Sequence, residues 1–421
     1  MTVTTMTTQE EGIQVRAVSP AQIAELAQRI QGIAQRKRDY IVPATHLRMV
    51  DRAAAGEQPR VDLVAQLGGI LGDVSYGIGK HAHAQIAEKL GIHGTYYRRM
   101  LDTPHALPLL AQNVNHWLEQ ARSNFLMREL DGRVRALLSD RYQPLDNTDL
   151  FFEAVRVVHN IGGQIVRADL TEERMYLRAL VPDWREQVAH QRAALDAERG
   201  SMRGVHFDGF SDRLAGGIHK DPASMTIGER RNGGGGGVME RASRDYVCPG
   251  IVISNSEIGQ GRVLVEPFVY AFYCSNYAVF GESLGRVHVG AKREHLGVLS
   301  DDTLRAEGAY VWGTIRDYIR ATLDREQFRA RLQRLVESTG EMLTAPQEAV
   351  DSVVKHYGLT DEERQRILNE LISAGDPTVY GLLQAITATG RDTADTHRAI
   401  ELERVGGQFV TAAPELVAVR R

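Results

Sequence analysis

The most pronounced strand pattern in the chain spans residues 246–280. Two apolar, β-branched and aromatic runs, 250–254 and 262–274, flank Asn255-Ser256-Glu257-Ile258-Gly259-Gln260-Gly261, and turn residues between strand-like runs predict a hairpin. In the second run both parities are apolar: Val263, Val265, Val269 and Ala271 on one face, Leu264, Phe268, Tyr270 and Phe272 on the other. Such a strand belongs inside a fold, covered on both sides. Glu266 and Pro267 interrupt it and predict a bulge or an edge there.

Helical spacing of Ile23, Leu26, Ile30 and Ile33 predicts a helix from Pro20 to about Arg38, capped by Ser19. Its terminal Arg36-Lys37-Arg38 suits the negative end of a helix dipole, or an anion. Residues 85–101 have helix-turn-helix spacing, with Ala87, the turn glycine Gly91, and Thr95 capping a second helix that offers Tyr96, Arg98 and Arg99. A further helix is expected over 109–122.

Asp131-Gly132 between two apolar runs is a strong hairpin signal, and a two-residue loop sets Arg128 opposite Arg135 and Leu126 opposite Leu137. Like charges directly opposite repel unless they are solvated or share an anion, so Arg128, Arg133, Arg135 and Arg141 form a candidate phosphate-binding face. A helix capped by Asn147-Thr148 covers 149–159, and strands follow at 162–170 and 175–181. Residues 183–245 begin helical, lose periodicity, and reach Arg230-Arg231-Asn232 and five glycines, which read as a mobile tip. From about residue 301 the pattern is helical, at 310–336, 346–357, 361–373, 378–388 and 393–403. Thr360 is a capping start there, and Gly358 and Gly375 are stops.

The fold class is therefore α+β: an antiparallel or mixed sheet core built from hairpins, with flanking helices and a helical C-terminal region. The expected divisions are a disordered lead at 1–15, a helical region at 16–122, a core at 123–300 with a mobile insertion at 183–245, and helices over 301–421.

A net charge of −4 excludes a globally basic nucleic-acid binder but leaves room for a local basic stripe. Aromatic residues make up 6%, so any base-stacking surface is small. Cys248 and Cys274 have no metal-like spacing. No secretory signal is expected from MTVTTMTTQEEG, no run approaches the length of a membrane span, and a cytoplasmic location is expected.

Catalytic signatures are scarce. His81 and His83 lack cysteine or carboxylate partners at ligand spacing. The pentaglycine run lacks the Gly-Lys-Ser/Thr of a P-loop, and no nucleophile elbow or dinucleotide fingerprint is present. His206, Asp208, Asp212 and His219 lie near each other in sequence and are a candidate divalent-ion site, and a nuclease or other hydrolase would use the His206/Asp208/Asp212 region. No catalytic residue, metal or cofactor is therefore assigned.

The stretches QIAEKLGIHGTYYRRML, LLAQNVNHWL, RALLSDRYQPLDN, GIVISNSEIGQGRVLVEPFVYAFYCSNY and YGLLQAITATGRDTADTHRAIELERVGGQ occur in that order. Together they resemble the phage- and plasmid-borne family catalogued as domain of unknown function 932, over roughly residues 80–408. The chain carries Ser275-Asn276-Tyr277 where members often have Thr-Asn-Gly. The resemblance implies a mobile-element protein with a DNA-related task and supplies no catalytic set. The resulting expectation is an oligomeric, non-enzymatic binder of nucleic acid, single-stranded DNA above all, acting in replication or recombination. Its candidate contacts are Tyr96, Arg98, Arg99, Arg128, Arg133, Arg135, Arg141, Arg230 and Arg231, with Tyr97 and Tyr277 as further stacking candidates. The alternative is an oligomeric assembly protein without DNA binding.

Overall fold

The computed structural model describes residues 17–52, 58–69, 71–142, 145–187, 246–260, 263–271, 276–280 and 301–420. Helix α1 (Pro20–Arg36) starts where its sequence predicts: Ser19 and Gln22 form a reciprocal capping box, which satisfies otherwise orphaned N–H groups. Four strands then follow in a region expected to be helical: β1 (Arg38–Pro43), β2 (Leu47–Arg52), β3 (Arg60–Gln66) and β4 (Asp73–Ile78). They are short, and β1 becomes a strand by pairing with β5 from far along the chain, a partner that local periodicity does not register.

Helices α2 (Lys80–Lys89), α3 (Gly94–Leu101) and α4 (Leu107–Gln120) precede the hairpin of β5 (Asn124–Leu130) and β6 (Arg133–Ser139). The first sheet has the order β1-β5-β6-β4-β3-β2, antiparallel except for the β4–β6 contact. One face packs Leu63, Met127, Val134 and Leu137 against Ile86, Leu110 and Val114 of the covering helices. The α3 N-cap is His93 and has no side-chain cap bond, so Thr95 is not the cap. On the outer edge strand, Met49 exchanges hydrogen bonds with the Asn115 amide (2.7 and 2.9 Å), which occupies backbone groups that another strand would use.

Next come α5 (Asn147–Asn160), β7 (Gln164–Leu170), β8 (Met175–Leu180), β9 (Glu186–Gln187), β10 (Tyr246–Asn255), β11 (Leu264–Ala271) and β12 (Asn276–Val279). The expected helix beginning at Trp184 is instead a 3₁₀ turn over Pro182–Trp184 followed by β9; the rest of the insertion lies outside the described residues. The second sheet runs β12-β11-β10-β8-β7, with β9 also on β10.

Its covered faces match the two apolar parities of β11. Val263 and Val265 join Leu177, Ile251 and Ile253 against α1, α5 and Ile315 and Ile319 of α6 (Asp301–Thr322). Phe268 joins Tyr176, Cys248 and Val252 on the opposite face. Pairing with β10 runs through Glu266 and Pro267 without a register shift, while pairing with β12 begins at Phe268. Because Pro267 accepts from Phe280 N–H on the β12 side, its missing donor faces the end of β12, a local edge.

The helical stripe expected over 310–336 is two helices, because Asp324 caps α7 (Arg325–Ser338) through Gln327 N–H. After β13 (Met342–Leu343) come α8 (Pro346–Tyr357), α9 (Asp361–Ala374), α10 (Val379–Arg391), α11 (Thr396–Leu416) and β14 (Val419–Arg420). Thr360 forms the expected capping box, and Gly358 and Gly375 end their helices at φ 64° and 63°. Helix α11 lies across the second sheet: buried Arg178 pairs bidentately with Glu403 (3.0 and 2.7 Å), and Arg404 with Glu266 (2.7 and 2.6 Å). The fold is α+β, and no helix among the described residues is long and apolar enough to cross a membrane.

Candidate anion-binding cleft

Residues 254–258, the end of β10 and the start of the loop toward β11, are buried, and they join the two sheets. Ile258 packs on Leu126, Ala136 and Leu138, on the face of the first sheet that α2–α4 do not cover. The Gln85 amide donates to Ile258 C=O (2.8 Å) while accepting from Leu137 N–H (2.9 Å), so one side chain stitches the loop to β6. Asn255 donates to Leu145 C=O and Asn147 Oδ1 (2.8 and 2.9 Å). Gly259 has φ 76°, and a Cβ there would lie 2.5 Å from Leu138 Cδ2, so backbone conformation and close approach both demand glycine.

Glu257 is the electrostatic centre of this junction. Its carboxylate accepts from Asn147 N–H at the start of α5 (2.8 Å) and lies 3.4 Å from both Lys37 Nζ and Arg135 Nη1. A carboxylate at a helix N-terminus meets unsatisfied N–H groups and the positive end of the dipole, and this is what holds α5 in the absence of a side-chain cap bond from its N-cap, Asp146. Lys37 also pairs with Asp146, and Arg36 with Asp131, so two of the three basic residues at the end of α1 are neutralised internally.

The β5–β6 register departs from the sequence expectation. Asp131 and Gly132 turn with φ 51° and 80°, and Leu130 faces Arg133 as predicted. A bulge then leaves Arg135 unpaired, so that Arg128 faces Ala136 and Leu126 faces Leu138. Both arginines consequently reach the loop, but not each other. Arg128 is 2% exposed; it donates to Asp39 (2.9 Å), Asp146 (3.3 Å) and Glu257 C=O. Burial opposes its charge, but the three carboxylates around it outweigh that and raise its pKa. Arg128 is therefore withdrawn as a phosphate contact, since its donors are spent inside the protein.

Beside the junction lies a cleft of about 350 Å³, floored by Glu257 and Ile258 and walled by the β5–β6 tip, the start of α2, α1 and the β7–β8 turn. Arg29, Lys80 and Arg133 line it, are exposed, and have no carboxylate or hydrogen-bond partner among the described residues. Arg174, also in the lining, spends its donors on Gln260 C=O and Ser254 Oγ, both neutral. Its burial, chiefly, holds its pKa below the usual arginine value. Of the lining carboxylates, Asp131 is engaged with Arg36, Glu173 with His81 (2.8 Å) and Glu257 as described, while exposed Glu172 has no partner among the described residues, one free carboxylate against three free cations. Positive charge in excess of internal pairing at a concave surface attracts anions.

Of the other sequence candidates, Arg133 and half-buried Arg135 line the cleft. Tyr96, Arg98 and Arg99 project from α3 into solvent while Tyr97 and Met100 pack inward. Arg141 is exposed, outside the cleft lining. Arg230 and Arg231, the His206, Asp208, Asp212 and His219 group, Cys274 and the pentaglycine run lie outside the described residues, as does the side chain of Tyr277. Among the described residues no group of three or more histidine, cysteine or acidic side chains is arranged to hold a metal.

Sequence reasoning missed Arg29, Lys80 and Glu257 as members of one site. They stand on α1, α2 and the β10–β11 loop, and no local spacing links them. No protein-family model matches the chain, and no curated protein or solved structure matches it either.

Proposed function

We propose that this chain is a non-enzymatic binder of single-stranded nucleic acid that serves the replication or recombination of a mobile genetic element. The carrying observation is the cleft in which Arg29, Lys80 and Arg133 have no carboxylate partner among the described residues. Cations left in this way bind phosphates and release counterions when they do. A hollow of about 350 Å³ between two sheets favours the phosphates of a single strand over a duplex. The mobile-element setting rests on the family resemblance of the sequence alone.

The test is fluorescence anisotropy with labelled single-stranded and duplex oligonucleotides over a salt series. Single-strand binding that weakens steeply with salt, and whose salt slope falls in Arg133→Ala with Lys80→Ala, supports the reading. Preference for duplex moves the site to Tyr96, Arg98 and Arg99 on α3. Absence of binding at low salt overturns both nucleic-acid readings. A second reading, an oligomeric assembly protein, is favoured by β1: it is an outer strand of its sheet, and Ile41 on it is 58% exposed. Salt-independent self-association without nucleic-acid binding would select it.

A further inference from the structure

The walls of the cleft are joined to one another in a ring. Arg36, which ends α1, pairs with Asp131 on the β5–β6 turn (3.0 Å). Gly79 N–H donates to Val134 C=O (2.9 Å), which ties β6 to the start of α2. His81 of α2 bonds Glu173 on the β7–β8 turn (2.8 Å), and Gln260 holds its other ring nitrogen (2.7 Å). Finally, α1 and β7 share an apolar cluster that takes in Ile30 and Leu170, and Val18 N–H donates to Ile165 C=O (2.7 Å). Beneath the ring, Asn147, Glu257 and Ile258 are buried. A hollow ringed by tied walls over a buried floor has one mouth, so a strand cannot thread through it. Its volume, about 350 Å³, is near the lower end for small-ligand pockets. Such a space suits the end of a strand.

The charges point the same way. Among the described residues, Arg29, Lys80 and Arg133 are unpaired in the lining, against one unpaired carboxylate, Glu172. An internal phosphodiester brings a single negative charge. A terminal phosphomonoester brings about −1.5 to −2 at pH 7, with three strong acceptor oxygens. The first turn of α2, which has no side-chain cap bond, adds backbone N–H groups to the same wall. Ile33, Leu130 and Leu170 give the lining apolar surface for the sugar behind the phosphate. We propose that the cleft is a blind pocket for the terminal phosphomonoester of a single strand, held by Arg29, Lys80 and Arg133. The protein then distinguishes strand ends from strand interiors.

This inference rests on the single-strand reading, and the experiment separates the two. Affinity of the full chain is measured at low salt for oligothymidine phosphorylated at its 5′ or its 3′ end. The reference is a hydroxyl-ended strand two nucleotides longer, which carries the same total charge. At least one phosphorylated strand is expected to bind about tenfold more tightly than the reference, the effect of one further charge-assisted contact. Equal affinities overturn the end pocket while leaving the single-strand reading standing, and this comparison needs no variant to fold. Lys80→Glu puts an acidic residue in the first turn of α2, where it suits the helix dipole, and reverses a charge beside the phosphate. The preference should vanish in it. A preference that survives in the folded variant places the strand end elsewhere and overturns the assignment. Thymidine 5′-monophosphate is titrated in parallel. Binding of the mononucleotide without binding of any strand assigns the pocket to a free nucleotide and overturns the strand-end inference. Binding of none of these ligands removes the single-strand reading and the end pocket with it.

Discussion

Arg128 and Arg133 belong to one hairpin and were equivalent candidates in the sequence. Arg128 lies midway along β5, 2% exposed, between Asp39, Asp146 and the loop carbonyl of Glu257. Arg133 opens β6 at the tip, is exposed, and has no carboxylate partner among the described residues. One region is a closed electrostatic junction and the other an open cationic rim. A buried guanidinium must be matched by acceptors or its desolvation is uncompensated, whereas an exposed one is stabilised by water and stays available to a ligand. The same residue type thus works in folding at one end and is free for binding at the other.

The largest effect should come from breaking the closed region. Arg128→Met leaves Asp39 and Asp146 facing a partner that has gone, and is expected to cost about 3–5 kcal/mol of stability, read from the denaturant midpoint. A loss below about 1 kcal/mol would mean the junction is not cooperative. Next, Glu257→Gln deprives Lys37 and Arg135 of a shared carboxylate and weakens the restraint on α5. A loss of about 2–3 kcal/mol is expected, with a larger drop in the mutual protection of the two sheets in hydrogen exchange than within either. Gly259→Ala forces a Cβ into left-handed backbone and onto Leu138, for a loss of about 1–2 kcal/mol by thermal unfolding.

At the open rim the pattern inverts. Arg133→Ala should change stability by less than about 0.5 kcal/mol yet weaken single-strand binding at low salt, with the salt slope shallower by about 0.7 because one phosphate is no longer neutralised. Equal binding by the variant would remove Arg133 from the site. The smallest effect is on titration. His83 is depressed to about 4, first by burial and then by Arg133. As pH falls below the unfolded histidine value near 6.5, the unfolded chain takes up a proton that the folded chain refuses, so stability declines from about pH 6.5 to about pH 4. In Arg133→Ala the imidazole resonance followed by NMR should titrate at higher pH, though still below 6.5, and the acid loss of stability should be smaller. An unchanged midpoint would show that Arg133 does not act on His83.

Local rules made much of the fold legible. The capping boxes at Ser19 and Thr360, the Asp131-Gly132 turn, and the stops at Gly358 and Gly375 each depend on a few neighbouring residues, and each stands where its sequence puts it. Likewise, the apolar faces of β11 announced a strand covered on both sides before its covers were known. The bulge at Arg135 was not legible, because a one-residue slip depends on which face the whole sheet must bury. Nor was the buried role of 254–258: the same hydroxyls, amide and carboxylate satisfy an ordinary turn and a sheet junction equally well.

The sequence by itself determined the α+β class, the α1 helix and most C-terminal helices, and both hairpins, since periodicity, caps and turn chemistry act within a few residues. Tertiary structure alone decided which charges are spent and which remain. Arg128 is neutralised by Asp39 from β1 and by a loop more than a hundred residues later, while Arg29, Lys80 and Arg133 meet across a cleft that no spacing encodes. The physical reason is that desolvation and charge pairing depend on distance in space, and the chain fixes those distances only after it has folded.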